Sequence, residues 1–115
     1  MRIFLDNSIP AGLRRYLSHH QVVTAANQRW EELENGELLR LVEGAGFDVM
    51  ITADQDLEYQ QNLRNRKIAL VVLGSNRWAY MQKCVPEIVA AVDAARASSY
   101  AFIEVPLPPK PAPQR

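Results

Sequence analysis

The chain has 115 residues, enough for one domain around a single core, and its 48% hydrophobic and 23% charged residues are those of an ordinary globular protein. Thirteen basic residues balance thirteen acidic ones, so no net field draws the molecule to a polyanion, and a nucleic-acid role needs a local basic patch. The one cysteine, Cys84, excludes an internal disulfide framework and a CxxC zinc pair; with no signal-peptide pattern and no apolar run of transmembrane length, a cytoplasmic protein without membrane partners is expected.

In chain order, Arg2-Ile3-Phe4-Leu5 reads as a buried strand that ends in Asp6. Ser8 is placed to cap a following helix whose first turn tolerates Pro10, with Ile9, Leu13, Tyr16 and Leu17 on one face. His19 and His20 form a polar corner before a second strand, residues 21–25. Adjacent residues in extended chain point opposite ways, which predicts that the two histidines do not share a metal. Residues 27–34 give no clear pattern and read as a loop or helical turn.

Asn35-Gly36-Glu37 opens a helix in which Leu38, Leu41, Val42 and Ala45 take helical spacing and Gly46 is the stop. Val49-Met50-Ile51 is a short apolar run suited to a buried parallel strand, and Thr52-Ala53-Asp54-Gln55-Asp56 follows it directly. After a weakly amphipathic stretch, residues 55–63, and a basic cluster of Arg64, Arg66 and Lys67, residues 68–73 form another continuous apolar strand. It runs into a polar loop, residues 74–78, that contains Arg77 and Trp78.

Pro86 starts a helix expected to run to about Ala97, with Val85, Ile88, Val89 and Val92 aligned. Residues 100–105 read as a last, edge strand. Five of the seven prolines fall in residues 106–115, predicting a domain over residues 1–105 and a disordered, Pro-rich tail. The alternation of strands and helices predicts an α/β fold, a three-layer α/β/α sandwich around a mostly parallel sheet.

In such sheets ligands bind outside the carboxyl ends of the strands. Right-handed crossovers put Asp6, Asn35, Glu37, Asp54, Asp56 and the loop with Arg77 on that side. Several carboxylates together repel one another unless a cation intervenes, and Mg²⁺ or Mn²⁺ with water in its open positions can activate that water against a phosphodiester. Each residue also has a structural role open to it: Asp54 or Asn35 as a helix cap, Glu37 as a partner of the macrodipole, Asp56 as a solvated charge. Cys84 reads as a small packed residue, and Trp78 and Tyr80 as a cover for the core rather than a base-stacking platform.

The runs Arg2-Ile3-Phe4-Leu5-Asp6-Asn7-Ser8-Ile9-Pro10, Asn35-Gly36-Glu37-Leu38-Leu39 and residues 47–63, with their T-x-D-x-D element at Thr52, Asp54 and Asp56, resemble short bacterial PIN-like proteins of uncharacterised function. The resemblance covers residues 1–75. It implies a metal-dependent ribonuclease with Asp6 and Asp54 as metal ligands, Glu37 completing the site, Asp56 in support, and Mg²⁺ or Mn²⁺ as cofactor. Arg77 and the cluster Arg64, Arg66 and Lys67 are the expected phosphate contacts. Expected partners are RNA, a neutralising antitoxin if the chain is a toxin, and a second copy in a homodimer. Asn7 and Asn35 stand where many members carry acids, which gives a second reading: a catalytically inactive PIN-like module that binds protein or RNA. A third is a small phosphorylated ligand held through Mg²⁺.

Overall fold

The computed structural model describes residues 1–25, 35–55, 63 and 66–107. Five strands, β1 (Arg2–Leu5), β2 (Gln21–Thr24), β3 (Val49–Thr52), β4 (Ala69–Leu73) and β5 (Tyr100–Ile103), form one sheet in the order β2-β1-β3-β4-β5. Every pairing is parallel, so the expected α/β architecture is present.

The central strands are buried on both faces, which is why they read as unbroken apolar runs rather than alternating ones. Ile3, Leu5, Val49, Ile51, Val71 and Leu73 face one layer, made of a 3-10 helix (Ala11–Leu17) and helix α3 (Val85–Asp93). Phe4, Met50, Leu70 and Val72 face the other layer, which contains helix α1 (Asn35–Gly44). Completely burying a side chain such as Ile51 contributes roughly 1.5–3 kcal/mol, and these two sets are the core.

Several local expectations are corrected. Ser8 does not cap a helix: the first helical segment starts at Ala11 after an extended Pro10, has no side-chain cap, and is a 3-10 helix. Tyr16 is largely exposed and meets Trp78 at a ring distance of 6.0 Å instead of joining Leu13 and Leu17 in the core. In α1 the buried residues are Leu38, Leu39 and Val42, while Leu41 turns outward. Gly46, at φ +87°, is the stop the sequence implied; at that backbone angle a side chain is strained, and a Cβ would lie 2.9 Å from Arg2 Nη1.

After β4 comes a short helix, α2 (Trp78–Met81), then a 3-10 turn (Gln82–Cys84), then α3 with Pro at its start. Helix α3 stops at Asp93, short of Ala97, because residues 94–99 turn the chain back: Arg96 N–H donates to Ser99 Oγ, and Ser98 takes φ 65°. The chain passes from β1 to β2 and from β4 to β5 along the same layer but in opposite directions across the sheet, so these two crossovers have opposite hands. The expectation of uniformly right-handed crossovers therefore does not hold for both, and the second delivers an edge strand with one half-open face. Among the described residues no helix is long and apolar enough to cross a membrane. The loop at residues 27–34, most of the stretch 55–63, Asp56, Arg64 and the tail from residue 108 lie outside the described residues.

Candidate functional site at the carboxyl edge

Strand order decides where the carboxyl edge opens. From β1 the chain turns into the layer of the 3-10 helix, whereas beyond β3 the chain at Leu63 packs in the layer of α1. Connections therefore diverge between β1 and β3, the position at which sheets of this kind hold ligands. Leu5 is in register with Ile51, and Asp6 N–H donates to the Ile51 carbonyl at 3.1 Å. Asp6 and the Thr52-Ala53-Asp54 segment thus meet at that point.

Asp6 is buried, with 8% of its surface exposed, and its carboxylate is held on both oxygens. Oδ1 accepts from Ser8 N–H at 2.7 Å, the local turn that Asp forms with the residue two positions on, and from the Ser8 hydroxyl. Oδ2 accepts from the Thr52 hydroxyl. Each hydroxyl also accepts in turn: Ser8 Oγ from Ala53 N–H and Thr52 Oγ1 from Asp54 N–H, both at 3.0 Å. The Ser8, Asp6 and Thr52 side chains so form one network that ties the end of β1 to the end of β3.

A carboxylate oxygen has two acceptor positions. Those of Oδ1 are both used, and one on Oδ2 is left. Among the described residues no lysine, arginine or histidine forms an ion pair with Asp6. Buried carboxylates are costly without a counter-charge, and here neutral donors are the only protein partners described. The donor set fits a hard cation such as Mg²⁺ or Mn²⁺, which takes one or two carboxylates and keeps water elsewhere.

Asp54 is partly buried in the loop after β3. Glu37 is exposed in the first turn of α1. That helix runs against the strands, since Glu43 near its other end accepts from Lys67 N–H at 2.8 Å before β4 begins, so Glu37 belongs to the carboxyl side. Asp6, Asp54 and Glu37 do not form a tight three-ligand group. Gln55 Nε2 donates to Gly74 O at 3.2 Å and joins the β3 loop to the β4 loop. Arg77 is exposed on that second loop, its N–H donating to Ser75 Oγ.

Arg66 and Lys67 are not with these residues. They precede β4 at the opposite, amino edge, where Arg66 Nη1 lies 3.5 Å from Glu43 Oε1. A five-residue strand, roughly 16 Å long, separates that edge from the loop of Arg77. The phosphate contacts expected of Arg66 and Lys67 at the Asp6 and Asp54 site are therefore not supported by their position. Trp78 and Tyr80 are partly buried against the core, as expected, and Cys84 is buried and unpaired.

The amino edge also contains an arrangement contrary to expectation. His19 and His20 follow the 3-10 helix in a turn, not in extended chain, and both rings face Asp93 at the end of α3. The sequence cue was the abrupt helix end before β2, where the alternation rule of strands does not apply. An open depression of about 770 Å³ lies beside His20, lined by Arg14, Arg15, Ser18 and Gln21; it includes neither Asp6 nor Asp54. No family model matches this chain, and no curated protein or solved structure matches it significantly. The case for a function rests on the chain's own residues.

Proposed function

We propose that the carboxyl edge binds a divalent cation through Asp6 and Asp54 and cleaves the phosphodiester backbone of RNA, as PIN-like ribonucleases do. The observation that carries this reading is Asp6: a buried carboxylate at the divergence of β1 and β3, held by Ser8 and Thr52, with an acceptor position left on Oδ2 and no cationic partner among the described residues. Bound Mg²⁺ or Mn²⁺ would lower the pKa of a coordinated water and neutralise charge on the phosphate. The hydroxyls of Ser8 and Thr52 fix the orientation of Asp6, Asp54 approaches from the β3 loop, and Glu37 holds a water from the α1 side. Arg77 on the neighbouring loop contacts the phosphate backbone. A cytoplasmic toxin restrained by an antitoxin is the biological setting proposed with it.

The test is cleavage of single-stranded RNA with Mn²⁺. The reading expects cleavage that stops with chelator and falls at least a hundredfold, about 2.7 kcal/mol of barrier, in Asp54→Asn. Absence of cleavage by the folded wild type, or cleavage indifferent to chelator, contradicts it. The Ser8 and Thr52 hydrogen bonds favour one alternative, in which Asp6 is only a latch between two strand ends and the domain is an inactive binding module. In that case the folded wild type binds no divalent cation at this edge, while Asp6→Ala still loses stability.

A further inference from the structure

We propose that His19, His20 and Asp93 form a second metal site, for a borderline divalent ion of the zinc class, at the amino edge of the sheet. Both imidazole Nε2 atoms reach one carboxylate oxygen, Asp93 Oδ1: His19 at 3.1 Å and His20 at 2.8 Å. Each of the three side chains offers one ligand atom such that the three atoms lie within 4.8 Å of one another. Ligands each about 2.1 Å from a tetrahedral ion are about 3.4 Å apart, so gathering the group around a common centre closes its widest separation by about 1.4 Å at most. Two imidazoles with a carboxylate are a donor set suited to Zn²⁺, Ni²⁺ or Co²⁺ and poorly suited to Mg²⁺.

Three features distinguish this group from an ordinary surface ion pair. The His20 ring is 10% exposed, so packing restricts its orientation before an ion arrives. Asp93 is the last residue of α3, where the helix dipole is negative, and the final turn carries no basic residue. Carboxylate and helix end together favour a positive charge at that point. Finally, His19 and Asp93 are half-exposed, which leaves room for water in the remaining coordination positions.

The site joins segments 73 and 74 residues apart, the turn before β2 and the end of α3. A bound ion therefore staples α3 to the amino edge of the sheet, across the molecule from Asp6. This site is independent of the carboxyl-edge reading.

The test is calorimetric titration of the full chain with Zn²⁺ alone, comparing the wild type with His20→Gln, Asp93→Asn and Asp54→Asn, each shown by circular dichroism to be folded. The expected result is one ion per chain at micromolar affinity or better, weakened at least tenfold in His20→Gln and in Asp93→Asn and unchanged in Asp54→Asn. Wild-type melting should rise by roughly 10 °C at a hundredfold excess over Kd. Absence of Zn²⁺ binding by the wild type at submillimolar concentration overturns the proposal, as does binding undiminished in both His20→Gln and Asp93→Asn. If His20→Gln fails to fold, the half-exposed His19→Gln takes its place with the same expectations.

Discussion

Thr52 is wholly buried, and its hydroxyl works twice, donating to Asp6 Oδ2 and accepting from Asp54 N–H. Thr52→Val keeps the shape and leaves both groups short of a partner, so it should lower unfolding free energy by about 1–3 kcal/mol; a denaturant midpoint unchanged from wild type would contradict the network. Gly46 is a second residue with a local reason. Gly46→Ala forces a side chain into the left-handed region and toward Arg2, with an expected loss of about 1–2 kcal/mol in the same measurement. At Asp93, hydrogen bonds from His20 first and His19 second hold the carboxyl below its ordinary range. Its folded value therefore lies below the unfolded one, and the stability it contributes is present above the unfolded value and lost as pH falls through the folded value. Metal-free thermal melts below about pH 5 should show a steeper loss in wild type than in Asp93→Asn, and parallel curves would contradict that coupling.

The elements differ in how openly the sequence announces them. Strands β1, β3 and β4 are short apolar runs buried on both faces, so composition alone marks them, and acidic or polar residues mark their ends. Helix ends were harder to read. The stop of α3 depends on hydrogen bonds between Arg96 and Ser99, on the Ser98 hydroxyl donating to the Arg66 carbonyl and on the backbone of Ser98, not on a proline or glycine signal. Ser8 looked like a helix cap because capping and an Asx turn use the same residue types; its partner Asp6 was the better acceptor. Strand β5 was legible as an edge strand, but its crossover hand was not, since that depends on which layer α3 joins. With Tyr100 and Phe102 exposed, β5 should exchange its amide hydrogens faster than β3 and β4. Equal protection of β5 and β3 in native-state exchange would show that the edge is more firmly held than its burial implies.

At the scale of the whole molecule, chemistry-bearing residues divide between the two ends of the sheet. Asp6 and Asp54 gather where connections diverge; that each follows an apolar strand was legible in advance, whereas the pairing of those two strands is supplied by the fold. The histidine pair and Asp93 gather at the other end, and their meeting was not legible, because it joins a turn to a helix terminus far apart in the chain. Arg66 and Lys67 are near Asp54 in sequence order but at the opposite edge, with Arg66 beside Glu43, so proximity in the chain is a poor guide to which end of the sheet a residue joins. The central claim is that the carboxyl edge is a cation site, and the most direct test is calorimetric titration with Mn²⁺ of wild type, Asp54→Asn and His20→Gln. The account predicts micromolar to millimolar binding in wild type that survives in His20→Gln and disappears in folded Asp54→Asn. Binding that is absent from wild type, or that persists in Asp54→Asn, would contradict it.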